Sequence, residues 1–138
     1  HKSFDTYKFR EEVERSKFIV KTCKLDDYLS DNHVQHENVS FIKIDTQGHD
    51  LAVLRGARSF LTSVRKIAVL IEFAPYLKAW ESQSIEEFYS DIISMGFDVY
   101  DDSNLKLGKV DLSYLKANYG MNKIGKYTDL LLLKGQSI

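Results

Sequence analysis

Apolar and polar positions along the chain set out a series of elements. Residues 1–16 are polar and charged, with Phe4, Tyr7, Phe9 and Val13 as the apolar marks, and read as an entry segment that is helical or loose. Phe18 to Leu25 alternates loosely around Ile19, Val20 and Thr22, the pattern of an edge or half-buried strand. Leu25, Tyr28 and Leu29 fall at i, i+3, i+4, which predicts one or two helical turns. His33 to Asn38 is a polar loop. Val39 to Asp45 reads as a strand, Thr46-Gln47-Gly48 as a turn, and His49 to Leu61 as a helix whose stripe is Leu51, Leu54, Ala57, Phe60 and Leu61. Lys66 to Phe73 is almost continuously apolar, which predicts a strand buried on both faces.

A second helix is predicted over Ser84 to Met95. Ile85, Phe88, Tyr89, Ile92 and Ile93 make its apolar face, Ser84 and Glu87 match a capping box, and Gly96 is the expected C-terminal cap. Phe97 to Tyr100 reads as a short strand, Asp111 to Asn118 as a helical turn, and Thr128 to Lys134 as a buried strand. Strands alternating with helices imply a parallel sheet covered by helices. No regular crossover helix is evident between Tyr100 and Thr128, so the final strand is free to run antiparallel to its neighbour.

Composition narrows the classes. The chain has 138 residues, 43% hydrophobic and 12% aromatic, enough for a packed core and against disorder. Nineteen Lys and Arg face twenty Asp and Glu, a formal net charge of −1, so the whole chain shows no electrostatic footprint for nucleic acid or a membrane surface. One cysteine, Cys23, precludes an internal disulfide and reads as a half-buried hydrophobe. No apolar run approaches the roughly 18 residues of a membrane span. The first residue is His1 and no signal-peptide pattern follows it, which suggests a processed chain or part of a longer one, with the cytoplasm as the expected compartment.

Ligands of open α/β sheets bind beyond the carboxyl ends of the strands. Asp45 closes one central strand and Glu72 lies near the end of the next, each following apolar residues, where an acid needs a partner or solvent. Gly48, His49 and Asp50 follow Asp45 in a tight turn into a helix. His49 is a candidate base with a titration range suited to proton transfer. Asp45, Asp50 and Glu72 are candidates to orient it or to bind substrate hydroxyls, and Tyr76 and Trp80 to line a pocket above the sheet. Asp45 with Asp50 would give Mg²⁺ only a partial oxygen shell, so a metal is possible but not favoured. Each residue also has a plainer role: a helix-start acid at Asp50, a turn-permitting Gly48, an exposed His49. His33 and His36 read as loop residues, and Lys106, Lys109, Lys123 and Lys126 as a solvated face. A nucleotide hydrolase is disfavoured, since no G-x-x-x-x-G-K-[ST] run is present.

The run Phe41 to Ala57, FIKIDTQGHDLAVLRGA, resembles the signature of FkbM-type methyltransferases: a K-I-D strand, a V/T-[EQ]-G-x-[ED] turn and an L-x-V-L-x-G-A helix. Thr22 to Leu29 resembles the family's T-L-D-D-x-L element, Leu70 to Phe73 with Pro75 its following strand and acidic turn, and Thr128 to Leu131 its closing strand. The resemblance covers about residues 17–135, with Asp50 standing where Glu is more usual. It implies the C-terminal part of a class I, Rossmann-like α/β fold, a mostly parallel sheet with an antiparallel final strand. It also implies S-adenosylmethionine as cofactor, held near Asp45, Gln47 and Gly48, and O-methylation of a hydroxyl on a small molecule or sugar. The family's glycine-rich cofactor loop has no counterpart, for the chain contains no G-x-G. That departure suggests a methyltransferase-like domain over 17–138 lacking its N-terminal half, which another chain, a homo-oligomer or the missing half itself would complete. The competing expectation is a non-catalytic α/β interaction module or an inactive methyltransferase fragment.

Overall fold

A computed structural model describes residues 21–77, 80 and 83–138. The element order is α1 (Leu25–Asp31), a 3₁₀ turn (His36–Asn38), β1 (Phe41–Ile44), α2 (Asp50–Gly56), α3 (Arg58–Ser63), β2 (Ile67–Phe73), α4 (Ile85–Ser94), β3 (Asp98–Asp101), a 3₁₀ segment (Asp102–Leu107), α5 (Leu112–Tyr119) and β4 (Thr128–Lys134). The expectation for residues 1–16 lies outside the described residues, as does the first part of the strand predicted over Phe18 to Leu25. The described part of that stretch is not a strand. Residues 21–24 are irregular and exposed, Cys23 included, and Leu25 opens α1. The loose alternation there reflects an exposed connection rather than a half-buried strand.

The four strands form one mixed sheet in the order β1-β2-β4-β3. β1 pairs parallel with β2, and β4 runs antiparallel between β2 and β3. The suspected antiparallel final strand is thus present. The mostly parallel sheet needs correction: β1, β2 and β3 point one way, but insertion of β4 leaves one parallel pairing among the three described. β2 also departs from the burial expected of it. Ile67, Val69, Ile71 and Phe73 are buried, while Ala68, Leu70 and Glu72 between them are half-buried. Apolar residues on both faces mark one dry face and one partly covered face among the described residues.

The helix predicted from His49 to Leu61 is two helices. Ala57 leaves helical geometry (φ −112°, ψ 10°) and α3 starts afresh at Arg58. A new helix start exposes backbone N–H groups, and α1 supplies their acceptor. The Asp26 carboxylate accepts from the Ser59 and Phe60 N–H groups, each at 2.9 Å. At the other end Lys134 Nζ donates to the Leu61 and Thr62 carbonyls at 2.9 and 2.7 Å. The predicted stripe survives the break, with all five members buried.

α4 matches its pattern closely. Ser84 Oγ accepts from the Glu87 N–H at 3.1 Å, and Glu87 Oε2 accepts from the Ser84 N–H at 3.0 Å, completing the capping box. Gly96 follows with φ +88°, a left-handed conformation that favours glycine. Ser84→Ala is expected to destabilise the protein by about 1 kcal/mol, read as a lower urea midpoint with unchanged slope. Arg55 and Arg58 reach across to Asp91 of α4 at 2.7 and 2.9 Å, tying the three helices together.

Candidate functional site

The site lies where β1 and β2 end. Both strands point the same way, so Asp45, one residue past β1, and Glu72, the penultimate residue of β2, share one edge of the sheet. The turn between Asp45 and α2 is held in an unusual shape. Gln47 and Gly48 both have positive φ, +52° and +93°. Such a pair of left-handed residues needs a compensating anchor, and Asp50 is that anchor. Its side chain is almost fully buried, at 1% exposure. Oδ1 accepts from the Thr46 N–H and the Thr46 hydroxyl, each at 3.1 Å, and Oδ2 accepts from the Gly48 N–H at 3.0 Å. Gln83 Nε2 donates to the Gly48 carbonyl at 3.1 Å. The helix-start acid is therefore the staple of the turn, with both oxygens engaged.

The turn presents Gln47 to the strand ends. Its Nε2 lies 3.2 Å from Asp45 Oδ1 and 3.5 Å from Glu72 Oε2, a bridge between the two acids. Asp45 also pairs with Lys43 at 3.4 Å and remains about half exposed. Glu72 faces a further carboxylate, because Asp129 of β4 is its cross-strand partner. Burial pushes the Glu72 carboxyl up, and the charges of Asp45, Asp50 and Asp129 add to the rise against the opposing Lys43.

On the outer side of β1 a groove of about 1250 Å³ opens between β1, α1 and α2. Ile42, Ile44, Val53 and Leu25 give it apolar walls, and Lys43, Asp45, Thr46 and His49 supply its polar groups. His49 is exposed and caps α2 without a side-chain bond to it, so its imidazole is free of the helix start. Ligand pockets typically span about 300–1,000 Å³, so a nucleoside-sized molecule fits this volume.

The structure thus sorts the residues named from sequence. Asp45, Gln47 and Glu72 come together by hydrogen bonds, and Asp45 and His49 share the groove. Gly48 and Asp50 shape the turn. Tyr76 is half-buried. Trp80, expected to line a pocket, is instead packed in the core at 1% exposure, edge-on to Phe73 with ring centroids 5.4 Å apart and tilted against Phe88 at 5.2 Å. Thr46, Lys43 and Asp129 were not anticipated. Thr46 and Lys43 had no signal apart from adjacency to Asp45, and Asp129 becomes visible only through the register of β4 on β2. No cluster of three or more His, Cys, Asp or Glu poised for a metal occurs among the described residues. Asp50, one half of the suggested Mg²⁺ pair, is committed to Thr46 and Gly48.

Comparison with known proteins adds one match. The family model described as methyltransferase FkbM domain matches residues 1–99. No curated protein and no solved structure matches the chain.

Proposed function

From the premise that this chain belongs to the FkbM methyltransferase family, we propose that it takes part in S-adenosylmethionine-dependent methyl transfer to a hydroxyl of a small molecule or sugar. The observation that carries this reading is the polar constellation of Asp45, Gln47, Glu72 and His49 at the strand ends, beside a groove of nucleoside-accommodating size. The groove's apolar walls suit an adenosine, and the half-exposed Asp45 carboxylate on its rim suits the charge of a sulfonium. When bound, S-adenosylmethionine supplies an electrophilic methyl group.

The protein's own task is positioning and proton handling. Asp45 and Gln47 would hold the cofactor end of the site, on the turn that Gly48 and Asp50 shape. Glu72 and Tyr76 face the acceptor. A reacting pair held at about 3–3.5 Å and in line gains much of its rate from that alignment. His49 Nε2 or Nδ1 accepts the hydroxyl proton as the oxygen becomes nucleophilic, a contribution worth about 10²–10⁴-fold in such reactions. Glu72, whose carboxyl is pushed up by burial and by the neighbouring acids, binds the acceptor hydroxyl as a hydrogen-bonding group.

The test is transfer of labelled methyl from S-adenosylmethionine to a panel of sugars and hydroxylated small molecules. His49→Ala is expected to lower turnover at least a hundredfold. Near-normal turnover of that variant across pH overturns the base assignment. Absence of both methyl transfer and calorimetric binding of S-adenosylmethionine by the intact chain favours the non-catalytic interaction module.

A further inference from the structure

Exposed large apolar side chains are concentrated in two short segments. Among the described residues nine such side chains are exposed, and five of them, Leu105, Leu107, Met121, Ile124 and Tyr127, lie in 102–109 and 120–127. Ile124 is 88% exposed and Tyr127 62%. Single exposed apolar residues are ordinary, but a group of them marks an interaction surface.

The same two segments carry four lysines, at 106, 109, 123 and 126, against one acid, Asp102, a local net charge of +3 in a chain whose total is −1. Lys109 pairs with Asp98 at 2.9 Å, and Lys123 Nζ donates to the Ala117 carbonyl. Lys106 and Lys126 have no ion pair with a described residue.

Asp101 brings the two segments to one place. It is fully buried, and its Oδ1 accepts from the Ser103 N–H at 3.0 Å, which starts the first segment. It also accepts from the Tyr119 hydroxyl at 2.6 Å and the Thr128 hydroxyl at 2.7 Å, the two residues that bracket the second. The 120–127 loop is therefore closed at its base, with consecutive turns from Gly120 to Lys123 and from Lys123 to Lys126 that push Ile124 outward. Held at its base and apolar at its tip, it is a projection flanked by cations.

We propose that this projection is a peripheral docking surface for an anionic phospholipid bilayer, in which Ile124, Tyr127 and Met121 enter the headgroup boundary and Lys106 and Lys126 meet the lipid charges. Apolar tips beside lysines are the combination that interfacial binding uses, and each lysine near an anionic surface strengthens it about fivefold. The whole-chain charge that argued against a membrane averages this segment with an acidic remainder. The two segments leave the sheet at the edge that also carries Glu72, but the proposal does not rest on the methyl-transfer reading, since its readout is vesicle binding and its variants touch none of the residues assigned to that site.

The test is cosedimentation of the full chain with vesicles of phosphatidylcholine alone and of equal parts phosphatidylcholine and phosphatidylglycerol. Binding to the mixed vesicles and little to the neutral ones is expected, weakening as salt rises toward about 1 M, where screening acts within about 3 Å. The double variant Ile124→Ser, Tyr127→Ser should lose at least tenfold in binding while melting like the parent, because both side chains are exposed. Lys106→Gln with Lys126→Gln should lose about 25-fold on mixed vesicles, two lysines at about fivefold each. No binding to either vesicle, or binding unchanged in the serine variant, overturns the proposal. So does a dimer in sedimentation velocity that the serine variant dissociates, which would make the surface a contact between two copies.

Discussion

Replacing Asp101 by alanine is expected to destabilise the fold by about 3–5 kcal/mol, the range for stranding a buried polar network. Its carboxylate accepts five hydrogen bonds: from the Ser103 N–H at 3.0 Å, the Ser103 hydroxyl at 2.7 Å, and the hydroxyls of Thr128, Tyr114 and Tyr119 at 2.7, 2.8 and 2.6 Å. Alanine leaves the Thr128 and Tyr119 hydroxyls buried without that acceptor. The urea midpoint should fall by about 2 M. Asp101→Asn keeps one accepting oxygen and should lose less than half as much. Burial pushes the Asp101 carboxyl up, but the hydroxyls of Tyr119, Ser103, Thr128 and Tyr114 outweigh it and hold the group below its ordinary value. A carboxyl depressed in the folded state contributes stability that is complete above the unfolded aspartate pKa of about 3.9 and is lost as pH falls through the lower folded value. The parent protein should therefore lose this contribution only in strong acid, and Asp101→Asn should not show that step. An alanine variant with a parent-like urea midpoint would show that the network contributes nothing.

Asp50→Ala is the second large loss, about 2–4 kcal/mol, because it removes the acceptor of three hydrogen bonds from a nearly fully buried position. Its local consequence is more informative than its magnitude. Gln47 and Gly48 hold positive φ, and Asp50 is what fixes the turn around them. Without it the Thr46 and Gly48 amides should exchange with solvent much faster than in the parent, and the Gln47 bridge between Asp45 and Glu72 should be lost. Asp50→Asn keeps the Oδ1 acceptor for Thr46 but sets an amide donor against the Gly48 N–H, so protection should fall at Gly48 and persist at Thr46. Equal loss at both amides would show that the two oxygens do not act separately. Methyl transfer, where measurable, should fall in Asp50→Ala along with turn order.

These residues also show how far the sequence could be read. Local rules held where one element decides its own form. The Ser84–Glu87 box, Gly96 and the apolar face of α4 act within one helix, and the dense apolar run from Thr128 to Lys134 marks a central strand whatever its neighbours. The signature from Phe41 to Ala57 brought the strand, turn and helix into view together, and the family match includes it; the match ends at Val99, so the likeness seen at Thr128 to Leu131 lies beyond it. Features made between distant residues stayed hidden. The break at Ala57 is stabilised by Asp26, more than thirty residues away. Nothing near Asp101 announces that Thr128 will donate to it, or that Asp129 will face Glu72. Asp50 fits the pattern of an ordinary helix-start acid, and only its burial reveals the turn it holds.

The position of β4 carries a consequence for how the molecule is made. Synthesis delivers residues in order, and β1 and β2 can pair as soon as both have emerged. β3 has no strand partner among the described residues except β4, and the second edge of β2 also waits for it. Between the appearance of β2 and that of residues 128–134, a nascent chain therefore displays two unpaired strand edges rich in Ile, Val, Leu and Tyr, the kind of surface that aggregates or recruits chaperones. Among the described strands, joining β2 to β3 requires the long-range pairing that only residues 128–134 supply.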